Sequence, residues 1–312
     1  MTVDEQPRRH PRRRESPGRR GEWRLAVALL LPAAFVVFGV VLYPVARTLI
    51  SSFYAVDSPL PGSYPFIGLD NYTKVFSDPR FYPVLGHTLY FTLVSTALEL
   101  ILGIGVALLL NSGLRWPWLW RSIVVLPWAL PTIVNASLWR WVFNGQYGPL
   151  NGMLSSLGII SEPIQWLGQP FLALNAVIAA DVWKNTSIVV FFILAGLQTV
   201  PGEIYEASAL DGAGRWQRFR RITLPLIAPS IAVVLILRTI EAFKVFDIIY
   251  VMTGGGPASG TQTIAFFTYQ QAFSNQLYGY GSALAYLIVL AIFALAMVYL
   301  RMLRQEQLAG VQ

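Results

Sequence analysis

Six apolar stretches, each near or above the length needed to cross a bilayer, dominate this chain: roughly Leu25 to Tyr43, Thr88 to Leu110, Leu119 to Val142, Leu172 to Leu197, Leu226 to Met252 and Ser282 to Leu300. A hydrocarbon core of about 30 Å asks for about 20 mostly apolar residues per helix. Within lipid every backbone N–H and C=O must be satisfied internally, so spanning segments are helices or closed barrels. Barrel strands alternate apolar and polar residues with period two, and these stretches do not. The sequence therefore predicts an all-α membrane protein with six transmembrane helices. Composition agrees, with 55% of residues hydrophobic and only 12% charged.

Basic residues set the orientation, because they accumulate in cytoplasmic segments. Arg8, Arg9, Arg12, Arg13, Arg14, Arg19, Arg20 and Arg24 precede the first span. Arg115 and Arg121 flank the third, Arg215, Arg218, Arg220 and Arg221 lie between the fourth and fifth, and Arg301 and Arg304 follow the sixth. With six spans all of these fall on one side. The other side holds Lys74 and Arg80 in its first loop, and no Lys or Arg in Asn144 to Pro170 or Thr253 to Gly281. Both termini are therefore expected on the cytoplasmic side of the membrane that the chain crosses. The first apolar stretch exceeds the usual apolar region of about 7–15 residues in a signal peptide, so it reads as a retained helix. The expected organisation is a basic tail over 1–24, a membrane domain over 25–304 and a short tail over 305–312.

A net charge of +7 might suggest nucleic acid, but the arginines of the tail stand directly before a span. Anionic membrane lipid is their simpler partner, and no nucleic acid is expected. With no cysteine and only His10 and His87, disulfides, thiolate metal sites and histidine clusters are excluded. A phosphate-binding loop needs Lys after Gly in G-x-x-x-x-G-K-[ST]; Lys74, Lys184 and Lys244 follow Thr, Trp and Phe. The chain is therefore no ATPase, and no enzyme.

Between the fourth and fifth spans, Pro201 and Gly202 break a helix and Glu203 to Leu210 can form about two further turns. Gly212 and Gly214 then allow a sharp redirection. Here stand Glu206-Ala207-Ser208, three residues, Gly212, nine residues, and Ile222-Thr223-Leu224-Pro225. That order resembles the cytoplasmic coupling loop, here 201–225, of membrane subunits of bacterial ATP-driven (ABC) importers of type I. The resemblance covers nearly all of the chain after the tail. It is closest to the first permease subunit of maltose- and trehalose-type sugar importers, to which Gly68-Leu69-Asp70-Asn71-Tyr72, Leu126-Pro127-Trp128-Ala129-Leu130-Pro131 and Thr253-Gly254-Gly255-Gly256-Pro257 also correspond.

The resemblance implies coupling to a separate ATPase through Glu206, Ala207, Ser208, Asp211, Gly212, Leu224 and Pro225, with ATP and Mg bound by that partner and no cofactor on this chain. It also implies a second, homologous permease, two ATPase subunits and an extracytoplasmic sugar-binding protein or lipoprotein. Ionisable groups inside spans are costly and mark candidate pathways. The resemblance matches Asp181, Lys184, Asn185 and Ile188 of the fourth span, and Arg238, Ala242 and Val245 of the fifth with Glu241 and Lys244 beside them, to the solute-contacting face. Asp247 is expected near the outer interface, and Glu99 in the second span reads equally as a structural partner or a ligand. Three bases, Lys184, Arg238 and Lys244, against three acids, Asp181, Glu241 and Asp247, suit a neutral, hydroxyl-rich solute, with trehalose first and maltose-like sugars next. A glycerol phosphate would want an unpaired basic cluster. A stand-alone secondary transporter, relaying protons along the charged ladder of the fifth span, is the reading from another class.

Overall fold

The computed structural model describes residues 19–57, 62 and 64–309. Arg8 to Arg14 of the basic tail lie outside the described residues. Apart from one antiparallel bridge between Tyr54 and Phe66, the regular structure among the described residues is helical. The chain divides into two compact units, 1–50 and 51–312.

The first unit is helical throughout its described part. α1 (Arg19–Phe35) runs through a π-helical stretch, Val36–Leu42, into α2 (Tyr43–Ser51). The helix therefore continues about two turns beyond the expected end at Tyr43. The π stretch stands immediately before Pro44, whose missing N–H leaves a carbonyl of the preceding turn without its usual donor. The 27 residues of Leu25–Ser51 span about 40 Å at 1.5 Å per residue, enough to cross a bilayer with tilt.

The second unit begins with a loop and α3 (Asp70–Ser77), followed by α4 (Phe81–Asn111), the second span. Asn71 pins the loop by donating to the carbonyls of Ser52 and Tyr54 at 2.9 and 3.1 Å. Asp78 accepts from Arg80 Nη2 at 2.8 Å and from the Tyr280 hydroxyl at 3.0 Å, joining the loop to the last span.

The third span departs from expectation. In place of one helix over Leu119 to Val142 there are two, α5 (Pro117–Ala129) and α6 (Thr132–Val142), bent by 92°. Pro131 is the cause: it removes a backbone donor and drives Leu130, the residue before it, out of the helical region to ψ 133°. Beyond it lies a short helix, α7 (Pro149–Ser156). Asn151 secures α7, donating to the carbonyls of Gly145 and Ile164 and accepting from Trp166 Nε1 at 2.8 Å.

The fourth span is α8 (Pro170–Gln198), and α9 (Gly202–Leu210) is the expected coupling helix. α10 (Arg215–Arg218) passes through π-helical turns, Phe219–Thr223, into α11 (Leu224–Phe243). The fifth span, expected to reach Met252, stops at Phe243. Lys244 to Phe246 are non-helical, and α12 (Asp247–Met252) starts a new direction. Thr263 Oγ1 donates to the Val245 carbonyl at 2.8 Å, satisfying a group that the break frees. α13 (Ile264–Tyr269), with a π turn at Gln270–Ser274, leads to α14 (Tyr278–Ala309), the last span.

α4, α8 and α11 form the centre of this unit, and small residues let them approach. A Cβ on Gly103 of α4 would lie 2.5 Å from Val189 Cγ1 of α8, and one on Gly196 of α8 would strike Ser230 of α11. Three apolar clusters result. One gathers Phe91, Ala136, Val177, Ile178 and Ala242. A second gathers Ala107, Val189, Ile193, Ile227 and Val234. The third packs Val75, Phe81, Phe243, Phe267 and Leu284 where α3 and α14 meet.

Candidate functional site

On each of the three central helices one buried charged residue lies between the first two clusters. Along α4, Glu99 comes between Phe91 and Ala107; along α8, Asp181 lies between Ile178 and Val189; along α11, Arg238 falls between Val234 and Ala242. All three are buried. Burying a charge is costly unless it is paired and hydrogen-bonded, and the geometry meets that need. Arg238 Nε donates to Glu99 Oε2 at 2.6 Å and Nη2 to Glu99 Oε1 at 2.8 Å, the bidentate fork that a guanidinium offers a carboxylate. Nη2 also donates to Asp181 Oδ2 at 3.3 Å and Nη1 to Glu241 Oε2 at 2.9 Å. Asn185 Nδ2 donates to Asp181 Oδ1 at 2.9 Å.

One guanidinium thus holds three carboxylates, an excess of acid at mid-span. The Glu241 side chain is 58% exposed, so the layer runs from the sealed Glu99 to the bundle surface. Lys184 is the nearest other cation, within electrostatic reach of Asp181, Asp247 and Glu241. Its Nζ donates to Thr132 Oγ1 at 2.6 Å, tying α8 to the bend between α5 and α6. Trp183, one residue before, packs edge-on against Trp139 of α6 at 5.7 Å.

The candidate pathway residues separate into two groups. Asp181, Lys184, Asn185, Arg238 and Glu241 form the polar layer. Ala242 is buried in the Phe91 cluster with Val245 against it, and Ile188 packs on the Ala107 cluster. Lys244 and Val245 lie in the break after α11, and Lys244 and Asp247 are exposed. Glu99 acts as a structural partner of Arg238, and the helix breaks mean that the fifth-span charges do not form one continuous ladder. Thr132 was not legible as a contact, although Pro131 beside it signals the bend that brings it there.

The loop over 201–225 is built by local chemistry. Pro201 caps α9, whose first turn carries Glu203, favourable at a helix N-terminus. Gly212 ends it at φ +78°, with the Ala213 N–H donating to the Ser208 carbonyl at 3.0 Å and the Gly212 N–H to the Ala209 carbonyl at 3.1 Å. This is the paired closure of a Schellman motif. Glu206, Ala207, Asp211 and Gly212 are exposed, and Leu210 is 90% exposed. Ser208 is buried, its hydroxyl donating to the Tyr205 carbonyl at 2.9 Å. Leu224 and Pro225 lie in the first turn of α11. The Tyr205 hydroxyl meets Thr223 Oγ1 at 3.2 Å, so α9 is anchored to the start of that span. Leu210 stands exposed on a short helix that also carries Glu203 and Glu206.

Residues 99–306 match the model of a family described as binding-protein-dependent transport system inner membrane component. The chain is 43% identical over 288 residues to the sulfoquinovosyl glycerol transport system permease protein of Agrobacterium fabrum, covering 92% of each. It is 42% identical over 280 residues to the trehalose/maltose transport system permease protein of Thermococcus litoralis, covering 90% of this chain and 94% of that one. To the trehalose transport system permease protein of Mycobacterium tuberculosis it is 34% identical over 284 residues, covering 91% and 90%. Its fold resembles a chain in the crystal structure of a bacterial alginate ABC transporter in complex with alginate pentasaccharide-bound periplasmic protein. The TM-score there is 0.80 at 24% identity, over 92% of this chain and 96% of that one.

Proposed function

From the premise that the chain belongs to the family of binding-protein-dependent transport system inner membrane components, we propose that it forms half of the pathway through which an ATP-driven importer passes a neutral disaccharide. Trehalose is the first candidate and maltose-like sugars are the next. The chain is a permease subunit and no enzyme. The observation that carries the substrate reading is the engagement of Arg238 by Glu99, Asp181 and Glu241. With its guanidinium occupied and acid in excess, the layer offers acceptors for hydroxyls and no free cation fork for a phosphate or sulfonate. Two relatives named for trehalose support this choice. The relative named for a sulfonated sugar derivative is the natural counter-test.

The assembly we propose adds a second permease, two ATPase subunits that hold ATP and Mg, and an external sugar-binding protein. Both termini and α9 lie on the cytoplasmic side, as the arginine distribution indicates. The exposed face of α9, with Glu206 and Leu210, enters a groove of the ATPase, whose closure turns the attached spans as bodies. This opens the site outward to receive sugar, and ATP hydrolysis and release reopen it inward.

Purified complex reconstituted in lipid tests the reading through its ATPase rate with binding protein and a panel of trehalose, maltose, sulfoquinovosyl glycerol and glycerol phosphate. Stimulation by a neutral disaccharide is expected. Stimulation confined to an anionic solute would overturn the substrate. Uptake by the purified chain alone, abolished by a proton uncoupler, would restore the secondary-transporter reading.

A further inference from the structure

Four arginines cluster at the start of the fifth span. Arg215, Arg218, Arg220 and Arg221 fall within seven positions, and none makes an ion pair among the described residues. Arg218 Nε is sealed from solvent and has no hydrogen-bond acceptor there, an arrangement that is expensive unless a ligand supplies one. Arg218 lines a pocket of about 670 Å³ together with Arg215, Leu108, Tyr205, Thr223, Trp216 and Phe219. The Trp216 and Phe219 rings lie 5.5 Å apart, and Trp216 is largely exposed.

The geometry points to an anionic phospholipid of the inner leaflet in this pocket, its phosphate on Arg215 and Arg218 and the start of its chains against Trp216, Phe219 and Leu108. Three observations favour lipid over other occupants. The cations stand at the start of the candidate span Arg215–Phe243, and at span ends basic pockets between helices take acidic headgroups and tryptophan settles at headgroup level. The flank beside them is aromatic and aliphatic, which a free phosphate cannot use. The pocket also lies on the Tyr205 side of α9, whereas Glu206, Ala207 and Leu210, the part free for an ATPase groove, are exposed. This rests on the inner-leaflet orientation proposed above. The walls come from α4, α9 and the approach to α11, so the lipid bridges the coupling helix to two spans and stiffens a joint held by the Tyr205–Thr223 hydrogen bond. The lipid is then part of the linkage between ATPase and pathway.

Native mass spectrometry of the full complex, exchanged from phosphatidylglycerol into phosphatidylcholine, tests the site independently of the transported sugar. Wild type is expected to retain phosphatidylglycerol at least tenfold over phosphatidylcholine, and the double variant Arg215→Gln/Arg218→Gln to lose that preference. Transport per ATP hydrolysed is expected to fall several-fold in pure phosphatidylcholine. Equal retention by wild type and variant would overturn the proposal. So would displacement of the lipid by millimolar inorganic phosphate, which would mark a soluble-anion site, or retention only when the ATPase subunits are absent, which would give the pocket to them. Should the double variant fail to fold, quenching by brominated phosphatidylglycerol serves instead. Wild type must lose more fluorescence than Trp216→Phe, and equal quenching would empty the pocket of lipid.

Discussion

Arg238 grips Glu99 side-on, with Nε and Nη2 on the two carboxylate oxygens at 2.6 and 2.8 Å, and so fastens the middle of α11 to the middle of α4. The two residues are far from interchangeable in what their loss would leave behind. Removing Glu99 leaves the guanidinium with Asp181 and Glu241. Removing Arg238 leaves three carboxylates around an empty space.

The two substitutions should therefore rank unequally. Arg238→Met is expected to cost about 3–5 kcal/mol, the usual consequence of stranding buried partners of an ion pair. Glu99→Gln is expected to cost about 1–3 kcal/mol, because its hydrogen bonds weaken while Asp181 and Glu241 still pair the guanidinium. Thermal unfolding of the detergent-solubilised protein measures both, and an inverted order would contradict the geometry described above.

Helix approach gives a second expectation. Gly103→Val places methyl groups where Val189 already is and should lower stability by about 1–3 kcal/mol. Val189→Ala should recover a good part of that loss in the double variant, since contacting residues couple where distant ones add. Additive effects would mean that α4 and α8 do not meet at this point.

Glu206 is exposed and makes no ion pair among the described residues, so Glu206→Ala should leave unfolding unchanged while lowering ATP-driven uptake tenfold or more. Gly212→Ala acts differently. At φ +78° a side chain is strained by about 1 kcal/mol, and the end of α9 should fray. Hydrogen exchange at the amides of Gly212 and Ala213 would register it, with Glu206→Ala as the unaffected comparison.

The Asp78–Arg80 pair supplies a pH dependence. The Arg80 guanidinium, helped by its own backbone N–H and by Tyr280, holds the Asp78 carboxyl below the usual carboxylate range. A depressed acid stabilises fully above its unfolded value of about 3.9 and loses that contribution as pH falls through the folded one. Exchange over residues 70–80, corrected for intrinsic rate, should stay flat from about pH 7 to 5 and rise below about pH 4. Asp78→Asn should abolish the rise.

Much of the architecture could be read from the sequence because lipid enforces it. Length and apolarity located the helices, and Pro201, Gly202 and Gly212 bounded α9 to within a residue. The breaks at Leu130–Pro131 and Lys244–Phe246 escaped because apolar composition continues across them. Hydropathy cannot register a turn whose freed carbonyl is met by a residue as distant as Thr263. Charges at mid-span marked Arg238 and Asp181 as special, but the sequence could not say that Glu99, 139 positions away, faces them. Pairing across helices depends on rotation about each axis, which a nearly uniform apolar surface leaves unmarked.

The polar layer separates two close-packed bodies. α5 lends Val124 to the Ala107 cluster, whereas α6 lends Ala136 and Trp139 to the Phe91 cluster; the chain changes allegiance at the 92° corner. α4, α8 and α11 run unbroken through both bodies, so the guanidinium fixes their mutual register at mid-length, between two layers of dense apolar packing that resist shear. The third span, bent at its middle, is free of that constraint: its two halves can turn about the elbow, each keeping its own core.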